Sequence, residues 1–291
     1  MTADVQSDVQ SDVQPDVLSG MLSGVLSDIG PASTDGQRGD PARRAWVEQL
    51  MGMPVSIHVR GPRAHDADVA RTVATAFASL RAVDAMFSTY RDGSEISRLQ
   101  RHELTLAECS PEIREVHTLC RSALERSAGY FDAWGWRGAG VFDPTGLVKG
   151  WAIGRAGLLL EALDDGDFAI DAGGDVLVRC ADPDAAPWRI GIEDPRDRTQ
   201  VLATVELHDG AVATSGTAAR GTHIVDPFTK TPVESILSAT VIGPSIVWAD
   251  VWATTAVARG VGAVEWTESL HGTSGMLVLA DGTVHRWALP D

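Results

Sequence analysis

The sequence predicts an α+β protein, in which helices pack on a mostly antiparallel sheet. Two observations support this: apolar residues recur at helical spacing in some segments, and short β-like runs separated by Gly, Asp and Pro fill much of the rest. The chain has 291 residues, of which 44% are apolar and 22% charged, so it is long enough to bury a large core. We expect one folded unit, or two closely joined halves.

The N-terminal segment differs in composition from the rest of the chain. It repeats Ser-Asp-Val-Gln and contains no aromatic residue, so it cannot bury enough apolar area to offset the entropy of ordering. We interpret residues 1–40 as a disordered acidic tail, although short apolar pairs within 21–26 leave a docked helix as an alternative. The folded domain is assigned to residues 41–291 and should begin near Arg43.

The first elements follow from periodicity and capping. Alternation in Val55, Ile57 and Val59 predicts a half-buried strand. A helical stripe then predicts the first helix, and it consists of Val69, Val73, Phe77, Leu80, Val83 and Phe87. A second helix should have Ser110 as N-cap, Pro111 at its first position and an end at Gly129. A third should run from about Leu147 to Leu163.

The remaining elements are short. The predicted strands are Phe168–Ile170, Val176–Val178, Trp188–Ile192, Val201–Leu207, His223–Val225, Met276–Leu279 and Thr283–Trp287. One late helix is predicted, from about Trp248 to Arg259. These runs are typical of antiparallel hairpins with helices packed on the sheet.

Charge and cysteine content exclude several function classes. A formal net charge of −16 argues against binding of nucleic acid or an anionic membrane, which requires an excess of Lys and Arg. The widely spaced Cys109, Cys120 and Cys180 form no zinc-ligand or disulfide pattern, so we expect reduced thiols. The first basic residue is Arg38, and no apolar run suits a signal peptide or membrane span, so a cytoplasmic location is expected.

The densest chemical signal is FDPTGLVKGWA at residues 142–152. Asp-Pro-Thr-Gly predicts a tight turn, and the helix after it directs its N-terminal N–H groups toward the space above that turn. Lys149 should lie in the first helical turn, where a cation is favourable if an anionic ligand lies between. A capped helix with a solvated lysine is the equally weighted alternative.

Three further motifs carry weaker signals. In DAGGD, residues 171–175, paired glycines permit close backbone approach to a ligand, although a plain hairpin turn explains them more simply. ATSG at 213–216 precedes THIVDP, where His223 alone is more often a packed strand residue than a catalyst. Asp250 and Thr254 share one helix face, and their oxygens suit Mg²⁺, although an N-terminal Asp and a Thr bonded back to its helix fit equally.

The order of these motifs resembles that of the ApbE-type FAD:protein FMN transferase family. The matching blocks are MGMPVSI (51–57), FSTYRDGSEISRLQ (87–100), FDPTGLVKGWA, DAGGD, ATSG, HIVDP and AD-x-x-x-T. The resemblance covers about residues 45–287. It implies a T-fold-like α+β flavin transferase domain with an antiparallel sheet and packed helices, which binds FAD in a cleft with Mg²⁺ on the pyrophosphate.

The resemblance also implies roles for individual residues. The expected FAD-binding positions are Met51, Tyr90, Tyr130, Phe131, Asp132, Asp143, Lys149 and Ile224. The expected magnesium ligands are the Gly146 carbonyl, Asp250 and Thr254. His223 is the expected general base, and an Asp in the cleft is the alternative.

Two departures from the family pattern affect these expectations. Many members carry an acidic residue just before the Thr of the last motif, whereas this chain has Ala253, which implies weaker metal binding or more water ligands. The segment 132–140 is compact where many members have a longer insert, so the resemblance does not define one wall of the adenine or flavin pocket.

The predicted activity is Mg²⁺-dependent transfer of FMN from FAD to a Thr or Ser hydroxyl of an acceptor protein, with release of AMP. By the same resemblance, the target is a short Ser/Thr-containing segment near Gly and Ala. One alternative is an FAD pyrophosphatase that uses water as nucleophile. Another is a non-catalytic flavin-binding protein that has lost the metal.

Overall fold

The computed structural model describes residues 42–135, 140–163, 166–216 and 224–288. The predicted tail at 1–40 and the predicted base His223 lie outside these ranges. The sheet, the helices and the cavity between them are therefore described from the residues in these ranges alone.

An antiparallel eight-stranded sheet with the order β1-β2-β3-β4-β7-β8-β9-β10 organises the described residues, beside a separate β5–β6 hairpin. The strands are β1 (Arg43–Leu50), β2 (Met53–Arg60), β3 (Asp167–Ala172), β4 (Asp175–Arg179), β5 (Trp188–Asp194), β6 (Asp197–Leu207), β7 (Asp209–Gly216), β8 (Ile236–Gly243), β9 (Ser274–Leu279) and β10 (Val284–Trp287).

Six α-helices are found in the described residues, and three of the four long ones pack on the sheet. They are α1 (Ala67–Phe87), α2 (Glu95–Gln100), α3 (Pro111–Arg126), α4 (Thr145–Leu160), α5 (Ile246–Arg259) and α6 (Ala263–Thr267). All six residues of the predicted stripe are buried in α1. The Ser110 hydroxyl accepts from the Ile113 N–H at the start of α3, as the capping pattern predicts, but the helix ends at Arg126, before the predicted Gly129.

The β5–β6 hairpin covers part of the opposite face. Trp188 and Ile190 of β5 pack on Val176 and Val178 of β4 in a small second apolar cluster. The molecule therefore has three layers in this region: helices, sheet and hairpin. The predicted α+β class with an antiparallel sheet is confirmed.

The hairpin layer explains one wrong prediction. We expected β2 to be half-buried, but Ser56 and His58 are buried as well as the apolar residues between them. These polar side chains point to the hairpin face, where Ser56 Oγ lies 2.9 Å from His58 Nε2. The alternation of polar and apolar residues therefore predicted the strand correctly but not the exposure of its polar side chains, because both faces of this strand are covered.

Other differences concern strand existence. The predicted strand at His223–Val225 is not found in its described part, where Val225 forms only an isolated bridge with Pro232. Strands β1, β7 and β8 were not predicted, although β7 ends in the ATSG motif. No helix among the described residues is both long and apolar enough to cross a membrane. All three cysteines are free thiols, as expected, and Cys180 is only partly buried.

Candidate active site

A cavity of about 650 Å³ lies where α4 and α5 meet the sheet and the segments after α1 and α3. Every predicted site residue that the structure describes lines it: Met51, Tyr90, Tyr130, Phe131, Asp132, Asp143, Gly146, Lys149, Ile224, Asp250 and Thr254. Residues as far apart in the chain as Met51 and Thr254 thus share one cleft. Their individual roles remain predictions.

The turn before α4 is held by Asp143. Its buried carboxylate accepts from the Thr145 N–H at 3.0 Å, and its own N–H donates to the Ala133 carbonyl at 2.7 Å. These bonds join the FDPTG turn to the segment after α3, so that Gly146 and Phe131 line the same cavity. Asp143 therefore has a structural task at this site, since it fixes the direction in which α4 begins.

Lys149 does not occupy the position predicted for it. The helix begins at Thr145, two residues earlier than expected, so Lys149 lies in the second turn and not in the first. Its Nζ is 2.5 Å from Asp175 Oδ2 and 3.5 Å from Asp250 Oδ1. Neither predicted environment, a solvated lysine or one that faces only an anionic ligand, is found. The positive charge of Lys149 instead lies beside two buried carboxylates of the protein.

Asp250 carries the main chemical signal of the cavity. It is 2% exposed, and its Oδ2 has no hydrogen-bond partner among the described residues. Burial and the neighbouring Asp175 charge raise the pKa of Asp250 to about 7, while Lys149 opposes that shift. A buried carboxylate oxygen without a partner is costly unless a cation or donor binds it.

Thr254 lies one helical turn beyond Asp250 and also faces the cavity. Its hydroxyl is 3.0 Å from the Ser215 hydroxyl of β7, so the sheet holds the threonine in place. The donors available here are a carboxylate, a hydroxyl and the Gly146 carbonyl, all of them oxygens. This set suits Mg²⁺, which prefers hard oxygen ligands and retains several waters.

No group of three or more His, Cys, Asp or Glu side chains that could bind a metal occurs among the described residues. The oxygen set above includes only one carboxylate and is compatible with that finding. Ala253 is fully buried in the core and does not line the cavity. The chain therefore offers no acidic ligand at this position.

The opening of the cavity is aromatic. Tyr90 is 91% exposed, and the ring of Tyr130 meets that of Phe228 edge-on with 5.0 Å between centroids. The Arg259 guanidinium lies 4.2 Å from the Tyr130 ring centroid, at cation–π distance. These rings offer flat apolar surfaces to a ligand with planar groups.

Met51 reaches the cavity from the tight β1–β2 turn. Leu50 pairs with Met53, so Met51 and Gly52 form a two-residue loop, and both have positive φ, 52° and 75°. That conformation matches the hairpin turns that favour the sheet's twist, although it is unfavourable for a methionine. The strand pairing therefore decides where Met51 lies.

Two residues of the sequence motifs contact predicted site residues, although the sequence predicts no role for either of them. Asp175 ends DAGGD and Ser215 belongs to ATSG, and the structure places them against Lys149 and Thr254. The glycines of DAGGD form the predicted hairpin turn, with φ of 63° at Gly173 and 94° at Gly174. The acidic residue after a paired glycine was the available signal for Asp175.

Relatives among curated proteins cover part of the chain. It is 31% identical over 128 residues to an FAD:protein FMN transferase of Vibrio cholerae, across 40% of this chain and 38% of that protein. It is 27% identical over 159 residues to the Salmonella typhimurium protein of that name, across 51% and 45%. The chain therefore spans less than half the length of these curated relatives.

Solved structures extend the likeness to most of the chain. The ApbE protein of Thermotoga maritima matches with a TM-score of 0.72 at 23% identity, over 85% of this chain and 97% of that one. The flavin transferase ApbE of Vibrio cholerae matches with a TM-score of 0.71 at 21% identity, over 85% and 98%. At these identities the likeness establishes the fold.

The sequence profile of the ApbE family matches residues 51–134 and 138–277. This match includes every described cavity residue named above as a predicted site residue. Because it spans well over half of the chain, and because the fold agrees, the protein belongs to the ApbE family.

Proposed function

We propose that this protein transfers FMN from FAD to a Ser or Thr hydroxyl of an acceptor protein, in a Mg²⁺-dependent reaction that releases AMP. The observation that carries the proposal is the buried carboxylate of Asp250, which lines a cavity of about 650 Å³ and whose Oδ2 has no hydrogen-bond partner among the described residues. The names of the curated relatives support flavin transfer as the reaction.

The cavity offers two chemical environments that suit the two parts of FAD. Tyr90, Tyr130 and Met51 supply apolar and aromatic surfaces for planar rings, whereas Asp250 and Thr254 supply oxygens around the expected pyrophosphate. Phe131, Asp132, Asp143 and Ile224 complete the predicted FAD-binding set. Lys149 would contribute to charge balance through its two carboxylate partners.

Asp250, Thr254 and the Gly146 carbonyl would hold the magnesium ion. When bound, Mg²⁺ neutralises the pyrophosphate and stabilises the negative charge of departing AMP. Ser215 holds the Thr254 hydroxyl in place for this task. In the transfer step the acceptor hydroxyl oxygen bonds to the flavin-side phosphorus, the bond from that phosphorus to the bridging oxygen breaks, and AMP leaves with the bridging oxygen.

The product assay separates transfer from hydrolysis. Full-length protein is incubated with FAD, Mg²⁺ and a Ser/Thr peptide flanked by Gly and Ala, and mass spectrometry follows peptide-bound FMN, free FMN and AMP. We expect equal amounts of FMN-peptide and AMP, both lost with EDTA. Free FMN and AMP at the same rate without peptide would indicate a pyrophosphatase, and no AMP under any condition would indicate a non-catalytic flavin-binding protein.

His223 is the proposed general base for the acceptor proton, and it lies outside the described residues. We predict that His223→Ala retains FAD binding and loses about 10² to 10⁴ in turnover, the usual size of an acid–base contribution. Single-turnover rate, FAD affinity and melting temperature are measured on one preparation. Turnover near wild type with FAD bound would exclude His223 as the base and favour an Asp of the cleft.

The acceptor partner and location are proposed on the same basis. The acceptor is expected to be a protein with a Ser/Thr flavinylation segment, and neither nucleic acid nor membrane insertion is part of the proposal. We infer a cytoplasmic location from the sequence, which fractionation of the host cell would test.

A further inference from the structure

Asp175 is the buried acidic residue of the cavity region to which no role has been assigned. It is 0% exposed and begins β4, directly after the glycine turn of DAGGD. Its Oδ1 accepts from the Thr214 N–H of β7 at 3.2 Å, and its Oδ2 lies 2.5 Å from Lys149 Nζ. Two neighbouring strands of the sheet thus fix the carboxylate that Lys149 contacts.

Lys149 lies between two carboxylates but is closer to one than to the other. The ammonium group is 2.5 Å from Asp175 and 3.5 Å from Asp250, and the second distance exceeds that of a charge-assisted hydrogen bond. Oδ2 of Asp250 has no hydrogen-bond partner among the described residues, and neither has Oδ2 of Asp175, whose contact with Lys149 is an ion pair.

We propose that Asp175 is a positioning residue that holds Lys149 away from Asp250 and thereby leaves Asp250 available to a divalent cation. This inference rests on the metal site of the proposed function. Without the charge of Asp175, Asp250 would be the nearest carboxylate to Lys149 among the residues that the structure describes. An ion pair between Lys149 and Asp250 would then compete with the cation for the same oxygens.

The test uses full-length protein and Mn²⁺ alone, without FAD, so that it does not depend on activity. Free Mn²⁺ is followed by electron paramagnetic resonance, and competition with Mg²⁺ gives the affinity for that ion. Asp175→Asn keeps the shape of the side chain and the oxygen that accepts from Thr214. We expect it to weaken Mn²⁺ binding about tenfold or more, the size of effect that residues behind metal ligands have.

A second variant separates competition by Lys149 from a simple loss of negative charge. Lys149→Met removes the competitor, so it should bind Mn²⁺ more tightly than the wild type does. Adding Asp175→Asn to Lys149→Met should then cost much less affinity than Asp175→Asn costs in the wild type. Melting temperatures show whether Asp175→Asn is folded. If it is unfolded, the Mn²⁺ affinity of Lys149→Met relative to the wild type is the test.

The outcomes distinguish this inference from the metal site itself. Equal loss from Asp175→Asn in both backgrounds, or weaker binding by Lys149→Met, would overturn the positioning role. A wild-type protein that binds no Mn²⁺ would overturn the metal site and this inference with it. Asp167→Asn is the matched control, since it removes a largely buried carboxylate that pairs with Arg60 elsewhere, and its Mn²⁺ affinity should equal that of the wild type.

Discussion

Two largely buried acid–base clusters lie on opposite faces of the same sheet, and they differ in how completely their atoms are paired. On the hairpin face, Asp167 accepts from Arg60 Nε at 2.8 Å with one oxygen and from the Ala181 N–H at 2.8 Å with the other. Arg60 also donates to the Ala186 and Pro187 carbonyls. On the helix face, Asp250 keeps one oxygen without a partner among the described residues.

The difference distinguishes a structural cluster from one that is proposed to bind a cation. Burying charge is costly, and proteins usually offset that cost by pairing and hydrogen bonding every buried polar atom. The hairpin face follows this rule at Asp167, whose two oxygens both have protein partners. The helix face departs from it at the Asp250 atom that would bind a cation, which is where a ligand site is expected.

The largest expected effect is on activity and concerns the helix-face cluster of Lys149, Asp175 and Asp250. We predict that Asp250→Ala lowers FMN transfer by about 10³-fold or more, because a metal ion in such reactions contributes several kcal/mol to the transition state. Stability should stay the same or rise, since Lys149 keeps Asp175 as partner while an incompletely paired carboxylate is removed. Single-turnover rates and thermal unfolding test both statements, and wild-type activity at all Mg²⁺ concentrations would refute the metal assignment.

The next effect is a loss of stability without a loss of activity, and it concerns the hairpin-face cluster of Arg60 and Asp167. We predict that Asp167→Ala lowers the free energy of unfolding by about 3 kcal/mol, because Arg60 loses a largely buried charge partner and the Ala181 N–H loses its acceptor. Turnover of the folded fraction should remain at the wild-type level. Urea unfolding combined with the FMN-transfer assay checks this, and a large loss of turnover in folded protein would show that the two faces are coupled.

The smallest expected effect is a pH dependence on the hairpin face. Burial, with a contribution from Arg43, lowers the pKa of His58 to about 4 from an ordinary value of 6.5. Because Arg43 donates to Nδ1, the neutral ring keeps its proton on Nε2 and donates to Ser56. Below pH 6.5 the His58 ring takes up a second proton in the unfolded chain but not in the folded one. The contribution of neutral His58 to stability is therefore fully present above pH 6.5 and decreases as the pH falls toward 4.

We predict that this titration removes about 2 to 3 kcal/mol of the free energy of unfolding between pH 6.5 and 4, at about 1.4 kcal/mol for each pKa unit. His58→Gln is the matched variant, since it retains a polar side chain that does not titrate. The measurement is the wild-type minus variant difference in unfolding free energy across this range. A difference that does not change with pH would mean that His58 keeps its ordinary pKa when folded.

The sequence by itself determined the elements whose signals are local. The apolar stripe from Val69 to Phe87 predicted α1, and Ser110 with Pro111 predicted the start of α3, because helical spacing and N-capping depend on residues three or four apart. The ordered motifs also identified the cavity-lining positions. Family resemblance carried that part, since no local pattern relates Met51 to Asp250.

Only the tertiary structure decided what each of these residues meets. Lys149 pairs with Asp175, and Thr254 with Ser215, across different elements, so no spacing rule could have matched them. The burial of His58 likewise depends on the β5–β6 hairpin far along the chain. The physical reason is range: periodicity and capping act within a few residues, whereas pairing of buried charges depends on distances that only the folded chain defines.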